Sequence, residues 1–348
     1  MSPYVLLIIS ISLLLGTSLT LFSNHWLVAW MGLEINTLAI IPMMTYPNHP
    51  RATESAIKYF LTQSTASMML MFAIINNAWM TNQWTLFQIS DQTSSITMTL
   101  ALAIKLGLAP FHFWVPEVTQ GIPLTSGMLL LTWQKIAPMS LMYQISSSLD
   151  MKILTILALS STLLGGWSGL NQTHLRKILA YSSIAHMGWM VIIIPINPTL
   201  MLLNLIIYII TTLTLFLTLN YSSVTKIKSL ANLWNKSTPT TIIILLTLLS
   251  LGGLPPLTGF MPKWLILQEL TAHNNITTAI LMALSALLNL FFYMRIIYAS
   301  TLTMFPSTNN SKLQWSYQQT KTTNIIPSLT IISSLLLPLT PLFITLSY

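Results

Sequence analysis

The chain has 348 residues, of which 14 are basic and 6 acidic, for a net charge of +8; 53% are hydrophobic and none is cysteine. So little charge excludes an ordinary soluble domain, in which about a quarter of residues are charged, and the missing cysteines exclude disulfides, thiolate iron–sulfur ligation and a thiol nucleophile. The positive balance does not point to nucleic acid, because the basic residues fall in short loops between apolar runs.

Those runs are each about 20 residues long, enough to cross a bilayer as a helix. In chain order the expected spans are 3–22, 25–45, 54–76, 93–121, 123–147, 151–170, 175–195, 199–221, 239–272, 275–300 and 325–345. They define an all-α polytopic membrane protein of eleven spans in one domain, 1–348. The first run lacks a basic leader, so it is expected to stay in place as a span. The second carries Glu34, the one acid expected in mid-span.

The fourth run is too long for one straight span. It contains Gly107-Leu108-Ala109-Pro110, with Pro116 six residues after Pro110; Lys105 precedes the pattern, His112 lies inside it and Glu117 follows Pro116. The fifth run places Lys135 about twelve residues deep, and the seventh holds His186. The ninth is over-long again. It contains Gly253-Leu254-Pro255-Pro256, with Pro262 six residues after Pro256 and Lys263 next. The copies are offset by 146 residues, the separation of Gly107 from Gly253. Paired Gly/Pro interruptions in corresponding halves mark transporters built from internal repeats with broken helices.

Loop charge sets the expected orientation. Loops on the side of the N-terminus carry Arg51, Lys58, Arg176, Lys177, Lys226, Lys228, Lys236, Lys312 and Lys321, while the other side carries Lys152 alone. The N-terminus is therefore expected on the inner side, and an odd number of spans puts the C-terminus opposite. Arg295 lies near the end of the tenth span, where it can snorkel.

Lys105, Lys135, Lys263 and Glu34 remain inside spans, where ionisable residues mark function. An ammonium taken out of water is held by a nearby carboxylate and released when that carboxylate moves or is neutralised, which makes such a pair a proton switch. Glu34 is the available partner and Lys105 its preferred mate. The alternative is a structural buried ion pair. The prolines remove N–H groups, so Pro110 frees the carbonyl of Leu106, Pro116 that of His112, Pro256 that of Gly252 and Pro262 that of Thr258. Irregular backbone at membrane depth survives only within protein or beside water, so two polar pockets are expected. Simple kinks are the alternative. His112 reads equally as a relay or a packing residue, whereas His186 reads first as packing. Glu117 either gates one mouth of the path or caps a half-helix. Six scattered histidines do not suit a haem, and no dinucleotide or phosphate-loop fingerprint occurs.

At these residues the chain resembles the NADH dehydrogenase subunit 2 family, the antiporter-like membrane subunits of mitochondrial respiratory complex I, and it is similar to cation/proton antiporters. The resemblance rests on Trp30-Met31-Gly32-Leu33-Glu34-Ile35-Asn36, on Lys105 through Glu117, on Trp133-Gln134-Lys135 and on Leu251 through Trp264. It implies two inverted five-helix repeats, about 1–147 and 151–300, each with one broken helix, and a C-terminal span at about 325–345. It implies a glutamate–lysine pair at Glu34 and Lys105, a central lysine at Lys135 and an exit-side lysine at Lys263. Three N-terminal helices of longer family members are missing, as in animal forms. The implied role is proton translocation across the mitochondrial inner membrane, from matrix to intermembrane space, coupled to electron transfer from NADH to ubiquinone. NADH, FMN, iron–sulfur clusters and ubiquinone would reside in other subunits, and this chain would hold no cofactor or metal. Its partners would be membrane and accessory subunits of complex I and membrane lipids. A stand-alone cation/proton antiporter and an inert membrane scaffold are the competing readings.

Overall fold

The computed structural model describes residues 2–46, 48–89, 91–302 and 325–341. Apart from isolated bridges, the described residues fold as helices joined by short loops. Lys312, Lys321 and the end of the last expected span lie outside them.

The helices are α1 (Pro3–Phe22), α2 (Trp26–Thr45), α3 (Pro50–Thr81), α4 (Gln92–Leu106), α5 (Trp114–Gly121), α6 (Leu124–Leu131), α7 (Trp133–Gln144), α8 (Met151–Gly169), α9 (Leu175–Ile193) and α10 (Pro198–Ser222). They continue with α11 (Ile227–Ala231), α12 (Leu233–Lys236), α13 (Thr238–Gly252), α14 (Phe260–Ala272), α15 (Ile276–Thr301) and α16 (Ile325–Leu335). Among the described residues, five of these helices (α1, α2, α8, α10 and α15) are singly long and apolar enough to cross a membrane. The over-long fourth and ninth runs are each two helices end to end, α4 with α5 and α13 with α14.

Local chemistry sets the ends. Proline opens α1, α3 and α10, where its missing N–H has no helical partner to lose. The Asp91 side chain caps α4 by accepting from the Ser94 N–H. Packing between helices relies on small residues, as it must where lipid is as apolar as leucine. A Cβ on Gly188 of α9 would lie 2.2 Å from Ser161 Oγ of α8, so these two helices approach to backbone distance.

α9 is buried on nearly every side, marking it as the central helix. Two apolar clusters meet on it, one built with α4, α7 and α10, the other with α5, α13 and α15. Peripheral helices turn large apolar side chains outward, among them Ile8, Phe72, Trp167, Leu284 and Phe291. That surface suits an apolar solvent, not water.

Candidate functional site

Both breaks start from the same backbone device. Gly107 and Gly253 have φ of 73° and 85°, the left-handed region that favours glycine. In the first copy the Gly107 N–H donates to Ile104 and the Leu108 N–H to Ala103; in the second, Gly253 donates to Ser250 and Leu254 to Leu249. Each half-helix thus ends in the paired-bond glycine motif that stops a helix cleanly. Pro116 and Pro262 then fall in the first turns of α5 and α14, where a missing N–H costs nothing. The expectation that Pro116 leaves the His112 carbonyl free is corrected here, since that carbonyl accepts from the Val115 N–H at 3.0 Å.

The terminal carbonyls of both half-helices are taken by lysines. Lys135 Nζ, on α7, donates to the Leu106 carbonyl at the end of α4. Lys263 Nζ, on α14, donates to Gly252 at 3.0 Å and Leu251 at 3.1 Å, at the end of α13. A cation at a helix C-terminus meets the negative end of the dipole, an arrangement that in partly buried sites stabilises by up to about 2 kcal/mol. Lys135 is 1% exposed and Lys263 8%. The face of Trp114 lies 5.7 Å from Lys135 Nζ, and its indole N–H is anchored on the Ile104 carbonyl at 3.1 Å. The Lys135 ammonium is therefore held by a carbonyl, a dipole and a ring, with no carboxylate in contact among the described residues.

Lys105 and Lys135 line one cavity of about 20 Å³. Lys105 is 5% exposed and its Nζ has no hydrogen-bond partner. Glu34 acts on Lys105 electrostatically but forms no ion pair with it within 4 Å among the described residues. Its Oε2 accepts from Thr37 Oγ1 at 3.4 Å and its Oε1 has no partner. The expected pair is thus a through-space coupling and not a contact.

A third interruption has no glycine or proline to announce it. Thr132, with φ −111° and ψ −69°, separates α6 from α7 three residues before Lys135. The Leu131 carbonyl accepts instead from the Tyr208 hydroxyl of α10 at 3.0 Å. The ring of Tyr208 lies 5.5 Å from that of His186. His186 in turn lies against the Leu251 carbonyl that Lys263 bonds. Tyr208 and His186 thus stand between the break at Leu131 and the Leu251 carbonyl that Lys263 bonds. Sequence reading missed Tyr208 and Thr132; the signal for Tyr208 was a phenol deep in an apolar run, where a buried hydroxyl needs a partner.

The remaining candidates separate. His112 is 4% exposed inside the first break, with Nδ1 unpartnered and its ring 4.3 Å from Phe113. Glu117 lies at the surface. It accepts from Lys58 at 2.9 Å, and Lys58 also pairs with Glu54 at 2.9 Å. This exposed trio ties α5 to α3 beside a recess of about 390 Å³ that Arg51, His174 and Arg176 also line. Being exposed, it is weak and screened by salt. Amide exchange in α5 is expected to rise about two- to threefold in Lys58→Ala at low salt. Unchanged exchange would remove the tether from the account.

The comparisons extend over the whole chain. Residues 23–289 match the NADH:quinone oxidoreductase/Mrp antiporter transmembrane family, and residues 290–344 match the C-terminal part of NADH dehydrogenase subunit 2. NADH-ubiquinone oxidoreductase chain 2 of Osphranter robustus is 82% identical over 100% of both chains. That of Bos taurus is 56% identical over 98% of this chain and 99% of its own. Among solved structures, a chain of respiratory complex I from Thermus thermophilus superposes with a TM-score of 0.83 at 23% identity, over 97% of this chain and 80% of that one. A chain of the Mrp complex from Dietzia sp. gives 0.81 at 15% identity, over 95% and 74%. At such identities these two show the fold alone. The full-length identity to the curated relatives carries more: the chain belongs to the NADH-ubiquinone oxidoreductase chain 2 family.

Proposed function

We propose that the chain is a membrane-arm subunit of mitochondrial NADH:ubiquinone oxidoreductase that moves protons across the inner membrane while other subunits carry electrons from NADH to ubiquinone. The observation that carries this reading is the recurrence of one device. A lysine bonds the last carbonyl of a half-helix at a left-handed glycine, once through Lys135 and once through Lys263. Two buried ammonium groups are poorly explained by stability alone, because well-packed apolar side chains often serve as well.

In this reading Glu34, Lys105, Lys135 and Lys263 carry the charge. While Glu34 is ionised it favours a charged Lys105; neutralising it makes that charge costly, and the proton leaves toward Lys135. From there Tyr208 and His186 connect to Lys263. His186 is thus a relay residue, placed between two lysines that no direct contact joins. Loading comes from the inner side, through the recess lined by Lys58 and Glu117, whose chain neighbours Tyr59 and, three residues away, Trp114 line the Lys105 cavity. Glu117 lines the recess at the mouth of this route, and His112 lies beside it.

The architecture we infer is eleven spans in two inverted five-helix units, about 1–147 and 151–300, closed by the C-terminal span. The N-terminus lies in the matrix and the C-terminus in the intermembrane space. NADH, FMN, iron–sulfur clusters and ubiquinone are held by other subunits, with accessory subunits and lipid covering the apolar perimeter.

The test is a native gel of mildly solubilised mitochondrial membranes, blotted for this chain and stained in the same lane for NADH oxidation. One large band carrying both is expected. A small separate band without that activity would overturn the assignment in favour of a stand-alone antiporter.

A further inference from the structure

One group in the Lys105–Lys135 cavity has no part in the path so far. Gln63, on α3, lines this cavity and is 4% exposed. Its Nε2 is buried without an acceptor, as is Nζ of Lys105. The other amides there are engaged. The Gln134 Nε2 donates to the Asn36 carbonyl at 3.3 Å. The Asn36 side chain, oriented to satisfy both its bonds, donates to Leu13 at 3.0 Å and accepts from the Thr17 N–H at 3.3 Å. Two buried donors without acceptors line a space of about 20 Å³. Leaving such donors unsatisfied is costly. One water needs about 10–15 Å³ and two to four polar partners, so a space of this size and lining can hold a bridging water.

We propose that Gln63 is a positioning residue that holds a single bridging water between Lys105 and Lys135. This rests on the reading that the two lysines carry the translocated proton. The water oxygen accepts from Gln63 Nε2 and from Lys105 Nζ, which leaves its own hydrogens free to point at Lys135. In the transfer, an N–H proton of the Lys105 ammonium passes to the water oxygen. At the same time an O–H proton of the water passes to the lone pair of the neutral Lys135 amine. The water is regenerated, no electrons change hands, and the net result is one proton moved from Lys105 to Lys135.

Substitution separates this role from packing. Methionine keeps the volume of Gln63 and removes its amide, so the water loses its anchor. Alanine removes the amide but opens room for further water, which restores a bridge. The assembled complex with each variant is reconstituted in proteoliposomes, and NADH-driven proton translocation is followed with a pH-sensitive dye, with Lys135→Met as the reference. Gln63→Met is expected to lower the rate about tenfold, the worth of one buried hydrogen bond, and Gln63→Ala by no more than about twofold. A packing role gives the opposite order, because alanine leaves a void and methionine fills it. Gln63→Leu carries the same expectation as Gln63→Met if the methionine variant does not assemble. Parental rates in both Gln63 variants, or the reversed order, would overturn the water bridge while Lys135→Met remains inactive. Parental translocation by Lys135→Met would instead overturn the lysine reading beneath it.

Discussion

Lys135→Met is expected to leave the subunit assembled and to cut NADH-driven proton translocation at least a hundredfold, about the smallest factor a positioned proton carrier contributes. The two effects part because of how Lys135 is held. Its removal leaves the Leu106 carbonyl without its donor, a loss of about 1–3 kcal/mol. Against that, a buried ammonium with no carboxylate in contact no longer has to be kept from water, which recovers several kcal/mol. Methionine is unbranched and adaptable, so it fills the same space. Stability therefore changes little while the proton carrier is gone. Assembly is read as the amount of chain in the large native band and translocation in proteoliposomes. An assembled variant that still pumps at the parental rate would reduce the buried lysines to scaffold.

Gly259→Ala is expected to do the reverse and destroy the fold of the second break. A Cβ at Gly259 would sit 1.8 Å from the Ser250 carbonyl oxygen, so α14 starts in direct contact with the end of α13. The clash is with backbone and has no flexible side chain to absorb it; overpacking of this kind costs about 3 kcal/mol or more. Gly252, seven residues earlier, is the control. Its Cβ would meet nothing closer than Tyr293 Cδ2 at 3.7 Å, an ordinary contact. Gly252→Ala is expected to assemble normally and Gly259→Ala to be nearly absent from the native band. Equal amounts of the two variants would refute the close approach.

Much of this site was legible in the sequence because broken helices leave chemical marks. Gly107 and Gly253 stand where the chain needs a left-handed turn, and the prolines exclude continuation. Charge in an apolar run picked out Lys105, Lys135 and Lys263. Partners were less legible, because they depend on which helices pack together. Alignment at the 146-residue offset sets Lys263 opposite Glu117, yet Glu117 binds Lys58 at the surface and the spatial counterpart of Lys263 is Lys135 from the next helix. Thr132 left no mark, since its break is imposed by tertiary contact and the freed Leu131 carbonyl is satisfied by Tyr208, 77 residues away. Gln63 was invisible for the same reason, as its amide reads like any polar residue on a long helix until the cavity around it is known.

The two lysine caps differ as mechanical elements. Lys135 reaches from α7 to the end of α4 across 29 residues of chain, so its bond is a strut between two separate helices. Lys263 reaches back only 11 or 12 residues, from α14 to α13, so its bond is a clasp within one broken helix. When Lys135 gives up its proton the strut weakens and two bodies can slide. If Lys263 did so, only the joint within one broken helix would relax. On the proposed reading, proton occupancy in the first half would be transmitted as displacement between helices, and in the second half as a change within one broken helix.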